Sequence, residues 1–130
     1  MPATQNDPRP SIDPDAAMVD HRIIAFRPSV LRAAIEATGL GRLGIPPGTM
    51  ISAEPVPEEA AIRIRYGTTA EITERMVTAQ EIGAILIAYC VGARIPLPMR
   101  ATKVVSVVRG GVMLDFLTTV TRPPRYQRLR

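Results

Sequence analysis

The residues of this 130-residue chain that could carry chemistry are few, and their spacing is unhelpful. His21 is the only histidine and Cys90 the only cysteine. A histidine can act as a general base when a carboxylate orients its ring, and Asp20 and Asp115 are the candidates for that part. Asp20 is only its sequence neighbour, so His21 is expected to be a surface residue. One histidine and one cysteine exclude a histidine-based metal cluster, a cysteine zinc site, an internal disulfide and a CxxC redox pair. Cys90 lies within an apolar stretch, away from any helix N-terminus that would lower its pKa, and reads as buried and inert. Glu54, Glu58 and Glu59 read as a solvated acidic turn. Thr68, Thr69 and Thr118 to Thr121 read as turn and strand residues before they read as nucleophiles.

Gly39-Leu40-Gly41-Arg42-Leu43-Gly44 matches the GxGxxG spacing. A dinucleotide site needs a strand before that motif and a helix after it, because the helix N-terminus receives the pyrophosphate. Here a helical pattern precedes the motif and Pro46-Pro47 follows it, so Gly39 reads as the glycine that ends a helix. No catalytic residue, metal ligand or cofactor is assigned.

Charge offers one more candidate. The net charge is +4, and from Arg94 onward Asp115 is the only acid. Against it stand Arg94, Arg100, Lys103, Arg109, Arg122, Arg125, Arg128 and Arg130, a candidate anion-binding set. No motif that reads DNA or RNA is present, so any nucleic-acid binding would not be sequence-specific. Phe26, Phe116, Tyr66, Tyr89 and Tyr126 are scattered and offer no stacking platform. Lys103 is the only lysine. A bias to Arg, Ala and Pro is the bacterial-like composition that GC-rich coding produces without any selection for binding.

Hydrophobic content of 46% supports a real core, which 4% aromatics and no Trp make aliphatic. Residues 1–12 read as a disordered, Pro-rich tail, residues 13–121 as a single α+β domain, and residues 122–130 as a basic tail. Asp13-Pro14-Asp15 could start a short helix through Asp20. His21 to Phe26 reads as a strand. Pro28 opens a helix with Val30, Leu31, Ala34 and Ile35 on one face and Arg32 and Glu36 paired away from it. Gly41 to Gly48 reads as a loop. Thr49 to Ala53 reads as a strand, stopped by a Glu54-Pro55-Val56-Pro57 turn. Ile62, Ile64 and Tyr66 alternate with Arg63 and Arg65, the pattern of a half-buried strand. Glu71 to Val77 reads as a further strand. Thr78-x-x-Glu81 is a capping box opening a helix to Ala93, with Ile82, Ile85, Leu86, Tyr89 and Ala93 buried. That helix is apolar nearly all round and is expected to be enclosed on most sides.

Ala101 to Thr121 reads as a hairpin turning at Gly110-Gly111. That turn sets Val107 opposite Leu114, Val105 opposite Phe116 and Ser106 opposite Asp115. Its second face carries Val104, Val108, Met113 and Leu117, a candidate oligomer interface. The predicted fold is α+β: a mainly antiparallel sheet of four to six strands, two main helices and a C-terminal β-hairpin. The longest apolar run, Ile82 to Ala93, is too short to span a bilayer. No basic region followed by an apolar stretch opens the chain, and a cytoplasmic protein is expected. The functional expectation is a small non-enzymatic interaction module, a homodimer or a binder of another protein. A binder of nucleic acid or anionic surfaces is the alternative, and a small enzyme with a site that no pattern reveals is the third.

Overall fold

A computed structural model describes residues 18–120 of the chain. Strand β1 (Met18–Phe26) leads into α1 (Pro28–Ala34), a π-helical turn (Ile35–Gly39) and α2 (Leu40–Leu43). Strands β2 (Met50–Val56), β3 (Ala61–Gly67) and β4 (Ile72–Thr78) follow, with a single 3-10 turn (Pro57–Glu59) between the first two. Helix α3 (Ala79–Gly92) then precedes β5 (Thr102–Val108) and β6 (Gly111–Val120). The α+β class is as expected, but the strands form two antiparallel sheets of three, ordered β1-β6-β5 and β2-β3-β4, instead of one sheet of four to six. The first unites the chain's beginning with its end, a pairing that no local pattern announces.

Local chemistry accounts for most element boundaries. Pro28 occupies the first turn of α1, where its missing N–H costs nothing. Arg32 and Glu36 pair at 3.7 Å as their spacing predicts, and Arg32 also donates to the carbonyls of Ile51 and Met50. The capping box is formed: the Thr78 hydroxyl accepts from the Glu81 N–H at 3.2 Å, and the Glu81 carboxylate accepts from the Thr78 N–H at 3.1 Å. Arg75 on β4 ties the two helical segments together, donating to the Leu43 carbonyl and pairing with Glu81. Ile62 and Ile64 are fully buried while Arg63 and Arg65 reach Glu74 on the other face of β3.

Several boundaries move. Gly39 does not end the first helical segment; the chain runs on to Leu43 and stops at Gly44, whose φ of +71° suits glycine. A glycine at position 39 serves a different contact: a Cβ there would lie 3.0 Å from Ile85. β2 continues through Glu54 and Pro55, which an edge strand tolerates because one side of it needs no N–H donors. Met18 to Asp20 are strand, not the end of a helix. The expectations for residues 1–12, for a helix start at Asp13-Pro14-Asp15 and for the tail 122–130 lie outside the described residues.

The β5–β6 pairing differs by two residues from the predicted register. The turn falls at Arg109-Gly110, so Val107 faces Val112 and Val105 faces Leu114. Val104 stands opposite Asp115, and Ser106 opposite Met113. Gly111 belongs to β6, where its φ is +139° and a Cβ would sit 1.9 Å from the Phe26 carbonyl oxygen. Its glycine serves that close approach rather than the turn. A shift of two preserves which residues share a face. The pair is also no free-standing hairpin, since β6 is the central strand between β1 and β5.

The core lies between the helices and one face of each sheet. Leu31, Ile35, Ile62, Ile64, Ile82, Ile85, Leu86, Leu114 and Phe116 fill it. Helix α3 is less enclosed than its composition suggests: Ile82, Gly83, Ile85, Leu86 and Cys90 are buried, but Val91 is 58% exposed. Burial pushes the Cys90 thiol up from its ordinary pKa.

Gly83 marks where α3 comes nearest β5, since a Cβ there would lie 2.5 Å from Val105. Gly83→Ala should therefore destabilise the protein by roughly 1–3 kcal/mol, although alanine is the better helix former by about 1 kcal/mol. Denaturant melts check this, and Val105→Ala in the same chain should recover much of the loss. The Thr78 N–H holds the Glu81 carboxyl below its ordinary pKa, partial desolvation opposes the shift, and the Arg75 guanidinium adds to it. A native pKa below the unfolded one stabilises at pH above the unfolded value of roughly 4.3 and is lost as pH falls through the native value. Glu81→Gln should flatten that acid limb of the melting-temperature profile.

Candidate functional site

The β1-β6-β5 sheet has two unlike faces. On one, Phe26, Val112, Leu114 and Phe116 are buried in the core, with Ile24, Val105 and Val107 packed against it. Both helical segments lie on that side. Alternation sends Val19, His21, Ile23 and Ala25 of β1 to the far face, with Met113, Asp115 and Leu117 of β6 and Val104, Ser106 and Val108 of β5. Among the described residues no helix lies over this far face. β2 passes close to β5 and β6 without pairing with either.

At its centre is a polar group that the register assembles. His21 Nε2 lies 2.8 Å from Asp115 Oδ1, across 94 residues of sequence. Asp115 is fully buried, flanked in register by Ile23 and Val104, while the His21 side chain keeps 28% of its surface exposed. Among the described residues the second carboxylate oxygen, Oδ2, has no hydrogen-bond partner, and neither has the buried Ser106 hydroxyl. A buried polar atom without a partner forfeits roughly 1–3 kcal/mol. The sheet carries that cost at a place where its neighbours are apolar.

Imidazole and carboxylate make the pair that orients a general base, so Asp115, not Asp20, takes the part considered for it. A nucleophile wired to the pair is missing: Ser106 shares the face, but its hydroxyl bonds neither group. The arrangement can hold a fixed imidazole at a surface and present an acceptor oxygen to a donor. Among the described residues no three His, Cys, Asp or Glu side chains converge as a metal site, and no helix is long and apolar enough to cross a membrane.

The four candidate interface residues do share this face. Val104, Val108 and Met113 are half-buried, and Leu117 is buried. Ile23, 47% exposed, joins them from β1. The sequence reading missed β1's contribution because the strand's partner is distant in the chain. The basic candidates do not come together in the same way. Arg94, in a left-handed conformation, and Arg100 lie in the link from α3 to β5. Lys103 is engaged there too, its ammonium donating to the carbonyls of Met99 and Ala101. Arg109 is in the turn at the other end of β5, about 20 Å from Lys103 at roughly 3.3 Å per residue. Arg122, Arg125, Arg128 and Arg130 lie outside the described residues. The GxGxxG residues are wound into the end of a helical segment, not a phosphate-wrapping loop.

Over the described residues, fold and site define a small α+β protein of two three-stranded antiparallel sheets, one of them bearing a part-exposed histidine bonded to a buried aspartate on a face that no described helix covers. Comparison with protein families, with curated proteins and with solved structures finds no match for the chain.

Removing one partner of the pair should reveal its cost. His21→Ala leaves Asp115 buried and unpaired, and should destabilise by about 1–3 kcal/mol or more if the carboxylate stays charged. Adding Asp115→Val should restore a good part of that loss, because no orphan then remains. A double-mutant cycle by chemical denaturation checks it.

Proposed function

We propose that this protein is a small interaction module that self-associates through the β1-β6-β5 sheet. The observation that supports this reading is the sheet's far face. Ile23 is 47% exposed there, and Val104, Val108 and Met113, each half-buried, keep part of their apolar surface accessible around the buried Asp115, with no helix above it among the described residues. Fully burying an exposed side chain of this kind is worth roughly 1.5–3 kcal/mol and completing the burial of a half-buried one a fraction of that, and a contiguous apolar patch on a sheet face marks a contact surface. A second copy is the simplest occupant, since it brings the same apolar sheet at the same concentration. Binding to an anionic surface has weaker support, because Lys103 and Arg109 sit at opposite ends of β5.

Light scattering across a concentration series tests the reading. The protein should have the mass of two chains, and Ile23→Glu should shift it towards one chain while the fold is kept, since Ile23 is already half in water. A monomer at every concentration would overturn self-association.

A further inference from the structure

The outer edge of β1 narrows self-association to one contact. Among the described residues β1 pairs with β6 alone, over nine uninterrupted positions from Met18 to Phe26. It has no proline, no lysine and no bulge, and its two charges, Asp20 and Arg22, are of opposite sign, so they guard the edge against like-charge pairings and not against a complementary one. Met18 and Ile23 on it are 58% and 47% exposed, and Asp20 and Arg22 are exposed as well.

We infer that β1 pairs antiparallel with β1 of a second copy, about a two-fold axis through His21. This rests on the self-association reading but places the seam at the strand edge instead of across the far face: it brings Val19 and Ile23 of the two copies together and leaves Val104, Val108 and Met113 uncovered. Charge selects the register. A two-fold axis normal to the sheet brings residues of like face opposite each other, so the axis must pass through a residue. Centred on Asp20 it sets Asp20 against its own copy, and centred on Arg22 it sets Arg22 against its own copy. Like charges directly opposite are destabilising. Centred on Ile23 it puts Asp20 opposite Phe26 and Arg22 opposite Ile24, and centred on Val19 it shortens the overlap of the described strand.

Centred on His21, every pair is matched. Asp20 faces Arg22 of the second copy, and Arg22 faces its Asp20. Val19 meets Ile23 on the far face, and Met18 meets Ile24 on the helix face. The two His21 rings lie side by side at the axis, each bonded to Asp115 of its own chain. The result is a six-stranded sheet ordered β5-β6-β1-β1-β6-β5, held by main-chain hydrogen bonds as in strand addition. Both helical layers lie on one side, and the far faces run together on the other.

Charge reversal tests this on the full chain, with mass read by light scattering and folding by circular dichroism. Asp20→Arg alone and Arg22→Asp alone should each drop the mass from two chains to one. The double variant, Asp20→Arg with Arg22→Asp, should return it to two. A second variant tests the register directly. Residues 19 and 23 are too far apart along one strand to join, but opposite residues across an antiparallel pair lie about 4.5–5.5 Å apart, within disulfide range. Val19→Cys with Ile23→Cys should therefore give a two-chain band on a non-reducing gel after mild oxidation. A dimeric protein that ignores the single reversals and forms no such band has its seam elsewhere, which overturns the register but leaves self-association standing. A monomeric wild-type protein overturns both.

Discussion

The packing of α3 against strands from both sheets is the contact on which the rest of the molecule depends. The sheets share no ladder, so packing joins them: the helix layer that touches both, and β2 where it passes close to β5 and β6. α3 touches β3 and β4 of one and β5 of the other. It comes so near β5 that a Cβ at position 83 would meet the Val105 side chain at 2.5 Å, so Val105 would have to shift. Ile82, Ile85 and Leu86 then close the core from above. The capping box at Thr78 and Glu81 fixes where this helix begins, and Arg75 anchors that beginning to the end of α2. A local sequence signal thus sets the position of the element that joins the two halves.

Because the helices all lie on one side, the other side of the β1-β6-β5 sheet keeps its own character. It is neither a second core nor an ordinary polar surface. Asp115 is buried within it, braced by His21 from a strand 94 residues away, and its remaining oxygen has no donor among the described residues. Such a pair stabilises less than it specifies: apolar substitutes often fit as well, while a misregistered β1 would leave the carboxylate alone. A slip of one residue would move His21 to the helix face. The His21–Asp115 bond is therefore made in this register of β1 and not in one slipped by a residue.

The division between what was legible in the sequence and what was not runs along contact distance. Local signals were sufficient where a preference is settled within a few residues. The capping box, the Arg32–Glu36 pair, the alternation of Ile62, Ile64 and Tyr66 with Arg63 and Arg65, and the faces of β5 and β6 all follow from side-chain period and short-range bonds. Glycine was the ambiguous letter. Gly39, Gly44 and Gly111 look alike in a sequence, yet one is a helix contact, one a helix end and one a close approach to another strand's carbonyl. Reading Gly39 as a stop and Gly111 as a turn moved a helix end by several residues and a hairpin register by two.

The sequence by itself determined an aliphatic α+β chain with one strongly capped helix and a C-terminal pair of strands. It also determined which valines share a face, because a strand's period of two survives an error of two in register. Only the tertiary structure decided that six strands divide into two sheets, and that β1 pairs with β6 in one of them. It alone brought His21 to Asp115. The physical reason is that side-chain period is written locally, whereas strand partnership depends on which apolar faces the whole chain can bury at once.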